Sequence, residues 1–162
     1  MKVREIMSID VVTVDRDATV NDIARLMDQG GLSGIPVVDG AGNLVGLVTE
    51  TDLIVRNTRL ELPVFIQILD GIIPLETPRH YQRRLKHMLG TVATDVMSEE
   101  VIVAEPDDEV EHLAEIMVRK RCNPVPVVED GRLVGIVSRA DLIRMMAREL
   151  NTAAEETGPL ET

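Results

Sequence analysis

The stretch Gly46-Leu47-Val48-Thr49-Glu50-Thr51-Asp52 reads as a buried strand that runs directly into a helix. A glycine opens it, aliphatic residues follow, a hydroxyl residue marks the junction, and an aspartate falls three places later in the first helical turn. The same design returns 89 positions on, as Gly135-Ile136-Val137-Ser138-Arg139-Ala140-Asp141. At such a junction the hydroxyl, the backbone N–H groups and the positive end of the helix dipole face one small volume, which suits a phosphate or a sugar.

Upstream of the first stretch, Val11-Val12-Thr13-Val14 reads as a short strand by its β-branched content. Thr19 then caps a helix whose apolar positions Val20, Ile23, Ala24, Leu26 and Met27 follow the 3.6-residue period, and Gly30-Gly31 ends it. A strand from Ile35 to Val38, the turn Asp39-Gly40-Ala41-Gly42-Asn43 and a returning strand from Leu44 to Val48 form a hairpin. A helix from Glu50 to about Asn57 closes the unit. The second half replays this order: Met97 matches Met7, Val101-Ile102-Val103 matches Val11-Val12-Thr13, and Pro126-Val127-Val128 matches Pro36-Val37-Val38, all at an offset of 90. The offset falls to 89 inside the hairpin turn, where a deletion costs least.

The fold class is therefore α/β: two β-α-β-β-α units of about 50 residues each, packed with pseudo-twofold symmetry. Units this small gain by sharing a core. The expected boundaries are a first domain over 1–58, a helical connector over 59–90, a second domain over 91–149 and a flexible tail over 150–162. In the connector, Pro63 opens an apolar stretch from Val64 to Leu69, and a helix is predicted from Arg79 to Leu89. That helix carries Arg79, Arg83, Arg84 and Lys86 with no acid. It either meets anionic ligand groups or an acidic partner, or presents a solvated face.

Composition closes off several functions. Hydrophobic residues make up 44% of the 162, but aromatic residues only 1%, with Phe65 and Tyr81 as the sole members, so base stacking on rings is not a plausible binding mode. A net charge of −11 opposes a general nucleic-acid surface. Cys122 is the only cysteine, which excludes an internal disulfide framework and a cysteine-built zinc site and fits a reducing cytoplasm. With no long apolar run and no apolar leader after Met1-Lys2-Val3-Arg4-Glu5, the sequence reads as a cytoplasmic protein without membrane insertion. His80, His87 and His112 lack metal-ligand spacing, and no acid, base and nucleophile constellation emerges, so neither a metal centre nor an enzyme is expected.

The duplicated pattern of Met7-Ser8, Val11-Val12-Thr13-Val14, Gly34-Ile35-Pro36-Val37-Val38-Asp39 and the strand-to-helix stretch resembles a cystathionine-β-synthase (CBS) domain. Its second copy runs from about Ala93 to Ala147, and the two together resemble a tandem CBS pair, or Bateman module. The resemblance implies a regulatory module that binds AMP, ADP, ATP or S-adenosylmethionine in clefts between the units, with no catalytic cofactor. It implies that Asp52 and Asp141 hydrogen-bond the ribose hydroxyls and that Thr49 and Ser138 help to hold ribose or phosphate. It also implies that Val12, Thr13 and Ile35 beside Pro36, and Ile102, Val103 and Val125 beside Pro126, flank the adenine. A homodimer formed through the outer helices and an effector protein that reads the ligand state complete the expectation.

A hydroxyl residue followed three places later by Asp is also a helix-capping pattern. Thr19 and Asp22 show that spacing, but their counterparts Glu109 and His112 do not, whereas the strand-end motif is kept in both halves. Ligand binding, with capping as a concurrent role, accounts for that difference. The two sites are expected to differ. Arg139 can neutralise a phosphate beside Ser138, while Glu50 beside Thr49 repels one. The second unit also has Asn123-Pro124 where the first has Ser33-Gly34, which stiffens or narrows the adenine wall there. The alternative is a ligand-independent dimerisation scaffold that uses the apolar stretch from Val64 to Leu69.

Overall fold

The computed structural model describes residues 1–59, 65–68, 71–74 and 91–157, with side chains described over 1–54 and 91–152. The first repeat supplies α1 (Val20–Gly30), β1 (Gly34–Val38), β2 (Leu44–Thr49) and α2 (Glu50–Arg59). The connector adds a hairpin of β3 (Phe65–Ile68) and β4 (Gly71–Pro74), paired antiparallel from Phe65 opposite Pro74 to Ile68 opposite Gly71. The second repeat supplies α3 (Ala93–Val96), α4 (Val110–Arg119), β5 (Val125–Glu129), β6 (Arg132–Val137) and α5 (Arg139–Thr157). The basic helix expected over Arg79 to Leu89 lies outside the described residues. At the C-terminus, α5 continues to Thr157, past the point where the sequence suggests a flexible tail, because Ala153-Ala154-Glu155-Glu156 is a run of strong helix formers.

Local chemistry places these elements as expected. The Asp22 N–H donates to Thr19 Oγ1 at 3.1 Å at the start of α1, and Gly31, in the left-handed conformation at φ 59°, ends it. The strand expected at Val11 to Val14 is reduced to a single bridge, in which Val14 pairs parallel with Val37. The reason is chemical. Val14 N–H donates to Pro36 O at 3.1 Å and Val38 N–H to Val14 O at 2.9 Å, but the next bond of that ladder would run from the nitrogen of residue 36 to Val12 O. Proline has no N–H to give. The second repeat stops at the same place: Ala104 bridges Val127, and Pro126 leaves Ile102 O without its ladder donor.

The chain separates into two compact units that do not follow sequence order. One contains Met1–Val11, Gly42–Leu44 and Ile102–Thr162; the other contains Val12–Ala41 and Val45–Val101. The leading segment of each repeat therefore packs with the opposite repeat. Backbone bonds show how. Val110 N–H donates to Met1 O and Val3 N–H to Asp108 O, both at 3.0 Å; Val20 N–H donates to Thr91 O and Ala93 N–H to Ala18 O, both at 2.8 Å. Each leader thus satisfies, and is satisfied by, the turn that starts the other repeat's helix.

The two cores occupy the same seven repeat positions. One is Val3, Ala104, Leu113, Met117, Val125, Val127 and Val137; the other is Ala93, Val14, Ile23, Met27, Ile35, Val37 and Val48. Each cluster receives one valine and one alanine from its leader and bridge positions: Val3 with Ala104, Ala93 with Val14. Returning each leader to its own repeat would pair two valines in one cluster and two alanines in the other, overfilling the first and leaving a void in the second.

Candidate functional site

Both strand-to-helix junctions build the same polar turn. The end of β2 brings Thr49 to the start of α2, where its N–H and hydroxyl both donate to Asp52 Oδ2 at 2.8 Å. The end of β6 brings Ser138 to the start of α5, where its N–H and hydroxyl both donate to Asp141 Oδ2 at 2.7 Å. The aspartate therefore caps its own helix, and the hydroxyl hydrogen is already committed. This selects the chemistry of any ligand. A hydroxyl that donates to a carboxylate can only accept from a second partner, so the turn offers acceptors, which suit the donors of a sugar diol better than phosphate oxygens.

Each junction is tied to the strand beside it. Glu50 N–H donates to Ser33 O at 3.1 Å in the first unit, while Arg139 N–H donates to Asn123 Oδ1 at 2.9 Å in the second. Asn123 is thus an external cap of α5, a role its place before Pro124 does not reveal. In the second hairpin Val125 lies opposite Val137 and Pro126 opposite Ile136, so the start of β5 flanks Ser138 directly. Ala104 then joins β5 on its other edge, bringing Ile102 and Val103 alongside.

Among the residues expected to flank adenine, Val12, Thr13, Ile102 and Val103 are exposed. Among the described residues their backbone carbonyls accept no ladder bond, because Pro36 and Pro126 end the parallel pairing. Ile35 and Val125 are fully buried in the cores of their units, and Pro36 and Pro126 are buried too. The side chains of Ile35 and Val125 are therefore closed to a ligand, contrary to the adenine-flanking role expected of them. Thr49, Ser138 and Asp52 are half-buried, and Asp141 is 7% exposed.

The two carboxylates differ in their second oxygen. Arg144, one turn further along α5, donates from Nη1 to Asp141 Oδ1 at 2.7 Å. Asp52 Oδ1 accepts no hydrogen bond among the described residues, and the position matching Arg144 is Val55. The signal for Arg144 is present in the sequence as an i, i+3 acid–base pair, found in only one of the two repeats. Arg139 is exposed and makes no salt bridge among the described residues.

The glycine that opens each stretch serves packing. A Cβ on Gly135 would come within 2.6 Å of Met7 Sδ, and one on Gly46 would collide with Met97 Sδ. Both methionines belong to the exchanged leaders. Cys122 packs against the core of its unit, and burial pushes its thiol above the ordinary range, which suppresses thiolate reactivity. Among the described residues no group of three His, Cys, Asp or Glu side chains could hold a metal ion, and no helix is long and apolar enough to cross a membrane.

Comparison with known proteins agrees with this architecture. The family model for the CBS domain matches twice, over residues 3–57 and 92–148. Protein MJ1426 of Methanocaldococcus jannaschii is 34% identical over 156 residues, spanning 90% of this chain and 91% of the relative. Among solved structures, CBSX2 in complex with AMP superposes with a TM-score of 0.69 at 23% identity, covering 91% of this chain and 96% of that one. The CBS domain pair of protein MJ0100, in complex with 5′-methylthioadenosine and S-adenosyl-L-methionine, gives a TM-score of 0.67 at 24% identity, covering 90% and 99%. Two matched repeats, each with its own core, hairpin and polar turn, make the chain a member of the CBS-domain family, in the form of a tandem CBS pair.

Proposed function

We propose that this protein is a regulatory module that binds an adenosyl ligand, such as AMP, ADP, ATP or S-adenosylmethionine, at its two strand-to-helix turns and signals its occupancy to an effector protein. The observation that carries this reading is the acceptor-only character of the turns. In both, the hydroxyl residue has spent its N–H and O–H on the aspartate, whose carboxylate only accepts, so the pair offers lone pairs to a ribose diol. The open backbone edges at Val12–Thr13 and Ile102–Val103 supply carbonyl acceptors suited to an adenine amino group. AMP in CBSX2 and the two adenosyl compounds in MJ0100 support the ligand class.

On this reading Ser138, Arg139 and Asp141 serve a phosphorylated nucleotide, and Thr49 and Asp52, beside Glu50, serve a less anionic ligand. The chain acts in the cytoplasm as a sensor and performs no turnover itself. It works as a homodimer: Ile143, Met146 and Leu150 are 66%, 55% and 70% exposed and recur at helical spacing along α5, while Ile54 on α2 is exposed at the position matching Ile143. Ligand binding shifts the population of the dimer's arrangements, and the effector reads that shift.

Thermal unfolding against AMP, ADP, ATP and S-adenosylmethionine tests the proposal. Ligand at a hundred times its dissociation constant stabilises a single site by about 2.7 kcal/mol, enough to raise the midpoint clearly. Asp52→Ala and Asp141→Ala are each expected to lose part of that rise. No shift with any of the four at millimolar concentration would remove the adenosyl reading and leave a ligand-independent scaffold.

A further inference from the structure

We infer that Arg144 is a specificity-determining residue of the second site, where it competes with the ribose for Asp141. The inference rests on the adenosyl reading above. A diol bound by a carboxylate needs accepting oxygen, and Asp141 has one oxygen committed to its own turn. Its other oxygen, Oδ1, is held by Arg144 Nη1 at 2.7 Å. Asp52 has the same commitment on Oδ2 but no such partner on Oδ1 among the described residues. Oδ1 of Asp52 can therefore accept both hydroxyls of a diol, whereas Oδ1 of Asp141, with one lone pair already taken, accepts the second only in place of Arg144.

The exchange has a chemical consequence. An uncharged adenosyl ligand must displace a guanidinium from a buried carboxylate and returns nothing to that cation. A ligand with a phosphate brings its own charge into a region that already holds Arg139, which offsets the displacement. Arg144 thus lowers the affinity of the second site for bare nucleosides more than for nucleotides. Its side chain is 58% exposed, so the barrier is modest and sensitive to salt. At the first site, Val55 at the matching position and Glu50 beside Thr49 give the opposite preference.

The test uses the full-length chain carrying Asp52→Ala, so that only the second site reports, and measures adenosine and AMP binding by isothermal titration with and without Arg144→Met. Methionine keeps the length and apolar contacts of the stem but removes the charge. Adenosine is expected to bind about fivefold more tightly to the Met variant, AMP less so, and Arg144→Lys to stay near the parent. Because adenosine is uncharged, its affinity for the parent should rise between low salt and about 1 M salt more than its affinity for the Met variant. Unchanged or weaker adenosine binding in the Met variant, with the parent still binding AMP, would overturn the competition and leave the site reading intact. Failure of the wild type and every variant to bind either ligand would overturn the adenosyl reading and the competition with it.

Discussion

At the first junction Asp52 is half-buried, Glu50 stands next to the hydroxyl residue, and one carboxylate oxygen has no partner among the described residues. At the second, Asp141 is buried, Arg139 replaces the glutamate, and Arg144 closes over the remaining oxygen. The turns themselves are superimposable in their chemistry: same hydroxyl, same backbone N–H, same aspartate oxygen, distances of 2.8 and 2.7 Å. Duplication has kept what the fold requires, a capped helix fed by a buried strand. It has changed the charges that stand around the cap, and under the proposed function those set which ligand each turn accepts.

The largest consequence of this asymmetry is for stability. Asp141→Ala removes the acceptor for two donors at a buried position together with the ion pair to Arg144, so it should cost about 2 kcal/mol, while Asp52→Ala, half-buried and without that pair, should cost about 1 kcal/mol. Urea denaturation of the two variants makes the comparison; equal losses would mean that Arg144 contributes nothing to the second turn. Next comes the exchanged leader. Val3→Ala opens space in a fully buried cluster and should cost about 2 kcal/mol, with partial recovery on adding Ala104→Val. If the second substitution deepens the loss, the two positions do not share volume as proposed.

A smaller effect is expected at the motif glycines, where the two units should behave alike. Gly135→Ala forces its methyl into Met7 and should cost about 1–2 kcal/mol, and a Met7→Ala background should relieve the clash. Additive costs for those two changes would exclude the contact. The smallest effect distinguishes the helix starts. α1 has Thr19 as its cap, whereas at the matching position Glu109 accepts a hydrogen bond from Lys2 Nζ at 2.6 Å, which holds its carboxyl below the ordinary glutamate range. A carboxylate with a depressed pKa stabilises the fold above the ordinary range and loses that contribution as pH falls through its lowered value. Glu109→Gln should therefore lower the unfolding midpoint slightly at neutral pH and not at all in strong acid. A deficit that persists in acid would assign the residue a role other than its charge.

Much of this molecule is legible in the sequence because the repeat acts as its own control. Residues kept at both copies, such as Thr49 with Ser138 and Asp52 with Asp141, separate from local accidents such as Thr19 with Asp22. The hairpins, the Thr19 cap and the glycine stop at Gly31 follow from local chemistry and stand where that chemistry puts them. The exchange of leaders is not legible, because periodicity says which face of a segment is buried but not against which copy. Only the valine and alanine at Val3 and Ala93 hint at it, and their meaning depends on the volumes at Val14 and Ala104. The shortening of the first strand could have been found, since Pro36 and Pro126 are visible and a parallel ladder needs their missing N–H. Arg144 is hard to read from the sequence for a different reason: it lies outside the repeated stretch that ends at Asp141.

Direct titration of the wild-type chain with AMP and with 5′-methylthioadenosine, one ligand with a phosphate and one without, goes to the centre of the proposed sensor function. Saturable binding of both is expected, with Asp141→Ala removing the tighter AMP event and Asp52→Ala the tighter 5′-methylthioadenosine event. No binding of either ligand at millimolar concentration, by a chain shown to be folded, would contradict it.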